Sequence, residues 1–250
     1  MSSIHTYQPT TDCLQDRIIL ITGAGAGIGA AVAKSCASHG ATVILLGKTT
    51  RKLETVYDEI VASGAPEPII MPMDLAVAKP EDYTNMAEAV EKEFGHLDGL
   101  LHNAAHLGNR MMFEQYDLEL WNKVMQVNLN APMLLTRACL PLLKKSADAS
   151  IIFTSSESGR KGRAYWGAYA ISNAATDNMM QVLADELETN TGIRVNSLDP
   201  GPVRSALRLI AYPGENQNQI KKPEEIVNGY LYLLGPAGKG VTGQLLSLQA

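Results

Sequence analysis

Hydrophobic positions along this chain fall into two alternating patterns. Six short runs are apolar nearly throughout: "RIILIT" at 17–22, "TVILL" at 42–46, "PIIMP" at 68–72, "LDGLLH" at 97–102, "ASIIFTS" at 149–155 and "IRVNSL" at 193–198. Unbroken apolar runs of this length suit strands buried on both faces, as in a parallel sheet. Between them, helix-like segments span 27–39, 50–63, 80–95, 117–145 and 168–190. A last helix over 223–234 leads to a seventh short strand, "QLLSL" at 244–248. This alternation predicts an α/β fold: a doubly wound, mostly parallel seven-stranded sheet with helices on both faces and right-handed crossovers. Ligands on such sheets bind beyond the carboxyl ends of the strands, where the strand order reverses. The segments that follow strands therefore carry the functional reading.

With 250 residues and 46% hydrophobic content, the chain can bury a full core as one domain over 1–250, and no Pro/Gly/Ser-rich or charged linker divides it. The net charge of −5 is spread along the chain. It gives no basic footprint for nucleic acid and no polybasic membrane patch. No apolar run reaches the ~18 residues of a membrane span. The polar lead-in at 1–14 lacks the basic and apolar regions of a signal peptide. Cys13, Cys36 and Cys139 are odd in number and far apart. That fits a reducing, cytoplasmic setting without a disulfide framework or zinc site.

After the first strand comes "TGAGAGIGAAVAKSCASHG". Gly23, Gly27 and Gly29 sit between a strand and an Ala-rich helix. Glycine there allows a tight turn and close backbone approach to a pyrophosphate, which rests on the helix N-terminus. A turn needed only for packing is the competing reading. Sites of this kind choose between NAD and NADP at the end of the second strand, where an acid favours the ribose 2′-hydroxyl and a base the 2′-phosphate. Here Gly47 takes the acid's place, Lys48 follows and Arg51 is close. This points to NADP, with NAD as the alternative. Ala26 adds no base within the glycine loop. Asp74, ending the third strand, suits an adenine amino group or a turn cap equally well.

These motifs, in this order, resemble the short-chain dehydrogenase/reductase family over roughly residues 14–248. "TGAGAGIG" resembles its cofactor loop, "DGLLHNAA" its Asn-Ala-Gly segment, and "VMQVNLNAPMLLTRACLPLL" the helix with an active-site Asn, here Asn128. "IIFTSSESG" resembles the strand with the active-site Ser, "YAISNAA" the Tyr-x-x-x-Lys helix, and "DPGPVRS" the Pro-Gly loop beneath the nicotinamide. "GRAYWGAYA" and "MMQVLADE" are similar to a bacterial subgroup of oxidoreductases. The family's spacing selects Ser156 over Ser155 and Tyr169 over Tyr165. The resemblance also implies a Rossmann fold and cofactor contacts at Ile28, Asn103, Ala104, Pro200, Gly201 and Val203. It implies hydride transfer between nicotinamide and a small-molecule carbonyl or alcohol, in a homodimer or homotetramer.

In that scheme Ser156 polarises the substrate oxygen, Tyr169 gives or takes the proton and Asn128 holds a relay water. The fourth member, a Lys one helical turn from Tyr169, is here Asn173. A free phenol has a pKa of about 10, so working near pH 7 means lowering it by ~3 units, about 4 kcal/mol, and a cation supplies much of that. An amide can still bond a ribose hydroxyl but carries no charge. Ala105 for the family's Gly, Asp199 for Asn and Ser205 for Thr are further departures. Three explanations follow: an oxidoreductase with weak or alkaline-shifted turnover, a substitute cation from "GRKGR" at 159–163, or a nucleotide-binding sensor or structural subunit without turnover. The first is favoured. The second ranks low, because a surface loop holds a charge less firmly than a helix.

His102 and His106 are four apart but straddle a strand end and a loop, so the spacing does not predict a metal site. His106 instead suits the pocket edge. Met111, Met112 and "LRLIAYP" at 207–213 read as apolar loop segments over a substrate or as packing, and Met179 and Met180 suit a helix–helix interface.

Overall fold

The computed structural model describes residues 4–249; the first three residues of the lead-in lie outside it. The strands are β1 (Ile18–Thr22), β2 (Thr42–Gly47), β3 (Ile69–Pro72), β4 (Gly99–His102), β5 (Ser150–Thr154), β6 (Arg194–Asp199) and β7 (Leu245–Ser247). They form one sheet in the order β3-β2-β1-β4-β5-β6-β7. Every pairing is parallel, including that of β7, so the sheet is wholly rather than mostly parallel. The order reverses between β1 and β4, and the cleft described below opens there.

The helices are α1 (Gly27–Ser38), α2 (Thr50–Ala62), α3 (Pro80–Phe94), α4 (Leu118–Met125), α5 (Ala131–Leu143), α6 (Glu157–Arg160), α7 (Gly167–Glu188), α8 (Ala206–Ala211) and α9 (Val227–Leu234). Two apolar layers cover the sheet. One packs α1, α2 and α9 on alternate strand residues such as Ile19, Ile21, Val43 and Leu45. The other packs α3, α5 and α7 on Leu20, Ile44, Leu100 and Phe153. Alternation of side chains across each strand sends neighbouring residues to opposite layers, which is why the runs are apolar throughout.

Four expectations change. The single helix read over 117–145 is broken by a π-helical turn, Gln126–Asn130, between α4 and α5. Pro132 has no N–H for the carbonyl of Asn128, and the Thr176 hydroxyl, which donates to Ser172 O at 2.8 Å, also lies 3.2 Å from that carbonyl. The segment after the Pro-Gly loop is not a loop throughout: α8 begins at Ser205, whose hydroxyl accepts from the Arg208 N–H at 3.1 Å. The lead-in also packs. Tyr7, Cys13 and Leu14 join the core, and the Tyr7 ring meets Tyr232 edge-on at 5.4 Å. Met180 is fully buried and so belongs to the core, while Met179 is partly buried against it. No described helix is long and apolar enough to cross a membrane.

Candidate active site

The turn from β1 into α1 is shaped by glycine. Gly23 and Gly27 have φ of +68° and +56°, a region costly for any residue with a Cβ. A Cβ on Gly29 would lie 2.3 Å from the Gly23 carbonyl oxygen and 2.7 Å from Asn103 Nδ2. Ala26 precedes α1 with no side-chain cap, and the first turn holds no acid. The first N–H groups of α1 are therefore left for an anion. Thr22 and Asn103 tie this turn to the end of β4. The Thr22 hydroxyl accepts from the N–H groups of Asn103 and Ala104 at 2.9 and 3.0 Å, and Asn103 Nδ2 donates to Thr22 O at 3.2 Å.

A cleft of about 640 Å³ runs from this turn across the carboxyl ends of the strands to α7 and α8. Gly23, Gly27, Ile28, Lys48, Asp74, Asn103, Ala104, Asn128, Ser156, Tyr169, Asn173, Pro200, Gly201 and Val203 all line it. Gly29 lies behind the wall, packed on Gly23. Arg51 is exposed on α2 and outside the wall; Lys52, passed over in the sequence, lines the cleft instead. Successive residues on a helix face about 100° apart, so adjacency in sequence does not reveal which base faces inward. Asp74 Oδ1 accepts from Ala76 N at 3.0 Å, so it caps a turn while facing the cleft. The methyl of Ala105 is exposed in the cleft.

At the far end, Asn128 is held by both halves of its amide. Its Oδ1 accepts from His106 N at 2.7 Å, and its Nδ2 donates to His106 O and Ser172 Oγ, each at 3.0 Å. The π-helical turn makes this inward pose possible. Ser155 also borders the cleft, but its hydroxyl donates to buried Asp177 at 2.8 Å. Ser156 faces the cleft, caps α6 and accepts from the N–H and hydroxyl of Ser158 at 3.3 and 3.1 Å. Tyr165 lies exposed outside the wall.

Burial pushes the Tyr169 phenol above the usual tyrosine range; hydrogen bonds from Asn173 and Ser156 pull it down, Asp199 raises it further, and Arg208 lowers it. Asn173 Nδ2 donates to the Tyr169 carbonyl one turn back, at 2.8 Å. The basic segment after Ser156 is engaged elsewhere: Arg160 pairs with Asp199, Arg163 with Glu157 at 3.0 Å, and Lys161 is exposed. Asp199 also accepts from Gly201 N at 2.9 Å and Gln249 Nε2 at 3.2 Å.

His102 is turned into the core, stacked on Phe153, with Nε2 2.8 Å from Thr136 Oγ1; burial pushes its pKa down to about 3. His106 lines the cleft. Burial, then Lys123 and Lys48, lower its pKa, and Nδ1 accepts from Gly108 N at 3.0 Å. The neutral ring therefore carries its proton on Nε2. Among the described residues, no group of three or more His, Cys, Asp or Glu side chains forms a metal site.

The short chain dehydrogenase family model matches residues 17–212. The chain is 44% identical over 243 residues to the uncharacterized oxidoreductase YciK of Escherichia coli strain K12, covering 97% of this chain and 96% of that protein. It is also similar to a solved structure from Pseudomonas syringae assigned to the short chain dehydrogenases, with TM-score 0.96 and 51% identity, covering 97% of this chain and 98% of the other. A Shigella flexneri 2a relative assigned to the same family was solved in complex with NADP; it shares 43% identity with TM-score 0.94, covering 96% and 100% of the two chains. This chain belongs to the short-chain dehydrogenase family of oxidoreductases.

Proposed function

We propose that the protein is an NADP(H)-preferring oxidoreductase that interconverts a small-molecule carbonyl and its alcohol. The observation that supports this best is the cleft itself, which begins on the glycine turn at 23–29 and ends at Ser156 and Tyr169. The hydride chemistry belongs to the nicotinamide cofactor. The chain binds, orients and moves the proton. The first turn of α1 takes the diphosphate; Gly23 and Gly27 let it approach the backbone, and Gly29 lets the turn close on Gly23. Lys48 and Lys52 face a 2′-phosphate, and no acid stands at the end of β2 to repel it. Ser156 donates to the substrate oxygen, Tyr169 exchanges the proton with it, and Asn128 fixes the backbone at His106. Exposed Met133 on α5 and Ile171 and Val182 on α7 suit a homodimer or homotetramer.

The test is fluorescence titration with NADPH and NADH, followed by NADPH oxidation over a panel of aldehydes and ketones. Binding without turnover would favour the sensor, and no binding the structural subunit. Two variants sharpen the cofactor reading. Lys48→Ala combined with Lys52→Ala is expected to weaken NADPH at least tenfold, about 1.4 kcal/mol, while leaving NADH within threefold. Equal loss for both nucleotides would show that these lysines do not read the phosphate. Gly29→Ala is expected to weaken both nucleotides at least tenfold, since its Cβ cannot fit beside the Gly23 carbonyl. Unchanged affinity in a chain that melts normally would refute the cradle.

A further inference from the structure

We propose that Asp199 is a positioning residue: through Arg160 and Gln249 it ties the Pro-Gly loop at 200–203 to the turn that presents Ser156. The inference rests on the oxidoreductase reading and gives the basic segment after Ser156 a role.

Asp199 ends β6 and is only 2% exposed. A carboxylate buried so deeply needs donors around it. It has three, each from a different segment. Arg160 Nη2 and Gln249 Nε2 both donate to Oδ2, the second at 3.2 Å, and Gly201 N donates to Oδ1 at 2.9 Å. The family resemblance implies asparagine at this position. An amide has a single acceptor oxygen and would turn its own N–H groups toward donors, whereas a carboxylate accepts on both oxygens. The acid at 199 therefore matches the three donors that surround it. Among the described residues, Arg160 is its one cationic partner.

Each partner is joined to the site by short, stiff connections. Arg160 is the last residue of α6, and Ser156 is that helix's N-cap. Gly159 N donates to Ser156 O at 2.9 Å and Lys161 N to Glu157 O at 3.0 Å, so a single turn links the guanidinium to the Ser156 hydroxyl. The turn is pressed on α7 at Gly159, where an added Cβ would lie 2.8 Å from Asn173 Cβ. On the other side, Pro200 and Pro202 have no N–H. Gly201 N is therefore the one backbone donor across 200–202, and Asp199 takes it. Gly201 has φ of +72°, and a Cβ there would lie 2.6 Å from Gln249 Cγ. The loop is thus held between the Asp199 carboxylate and the end of the chain. Ser156, Asp199, Pro200 and Gly201 all line the cleft. The ion pair sets the spacing between the hydroxyl assigned to the substrate oxygen and the loop that the resemblance puts beneath the nicotinamide.

The first measurement needs no ligand. Hydrogen–deuterium exchange of the full chain is followed by mass spectrometry. Arg160→Gln changes only α6, yet it should speed exchange at 201–205 as well as at 157–163, by about threefold or more in each. Arg160→Lys keeps a charged donor and should fall between. NADPH and its adenine half, 2′,5′-ADP, are then titrated by calorimetry. Asp199→Asn and Arg160→Gln should each weaken NADPH about tenfold and leave 2′,5′-ADP within about twofold. Gln249 is exposed, and Gln249→Ala gives a smaller loss of the same kind should Asp199→Asn not fold. The acid and the base change local charge in opposite directions, so a shared loss confined to NADPH reports position. Opposite shifts would show that the pair acts as charge alone, and equal loss for both ligands would show general loosening. Either result overturns the proposal, as does unchanged exchange at 201–205 in Arg160→Gln. A natural chain that binds neither nucleotide counts against the oxidoreductase reading alone, since the exchange measurement uses no nucleotide.

Discussion

Asn173→Lys is expected to raise alcohol oxidation at pH 7 by about a hundredfold and to move the pH optimum down by about two units. Alcohol oxidation needs Tyr169 as phenolate, the form populated above its pKa. A phenol with pKa 10 is about one part in a thousand phenolate at pH 7, and burial here moves Tyr169 the unfavourable way. A cation one turn away stabilises the phenolate. Lowering the pKa by ~2 units raises its population about a hundredfold at neutral pH, less a fraction lost because the weaker base is less reactive. Carbonyl reduction needs the phenol, already protonated at pH 7, so its gain is smaller and its alkaline fall begins earlier. The site tolerates the change at its root. Asn173 Cβ packs against Gly159, where an added Cβ would lie 2.8 Å away, and lysine keeps that same Cβ. The check is a set of steady-state rates from pH 6 to 10 in both directions. A natural chain with ordinary neutral turnover, unimproved by lysine, would refute this account.

Tyr169→Phe is expected to lower kcat by about a hundredfold to ten-thousandfold, the usual contribution of a positioned proton donor, with NADPH affinity within threefold. The ring keeps its packing on Trp166 and the cluster around it, so only the hydroxyl and its bonds are lost. Single-turnover rates separate chemistry from binding, and fluorescence titration gives the affinity. Retained turnover would remove Tyr169 from the reaction and leave His106, whose Nε2 carries the proton at the cleft wall, as the next donor to test.

Much of the site was legible because family-like motifs follow strands, and strands were marked by apolar runs. Ser156, Tyr169 and Asn128 line one cleft, reached from three separate elements. What stayed hidden shares one cause. The break at 126–130 depends on Asn128 reaching His106 and Ser172, contacts 22 and 44 residues away in sequence. Pro132 was the local sign, since its missing N–H leaves a carbonyl to be satisfied elsewhere. Arg208 read as part of an apolar loop, although Ser205 three residues earlier is a cap signal. Lys52 was passed over for Arg51 because only the orientation of α2 decides which one meets the cleft.

By itself, the sequence determined the parallel sheet, the glycine turn and the absence of a lysine at 173. Each is a short-range property: an apolar run, a φ that only glycine holds cheaply, a side chain one helical turn away. The tertiary structure alone decided where charge stands around the phenol. It spent Arg160 on Asp199, turned Lys52 rather than Arg51 inward, and set Arg208 beside the aromatic cluster. Electrostatic influence depends on distance and screening in three dimensions, and neither is written in the order of residues along the chain.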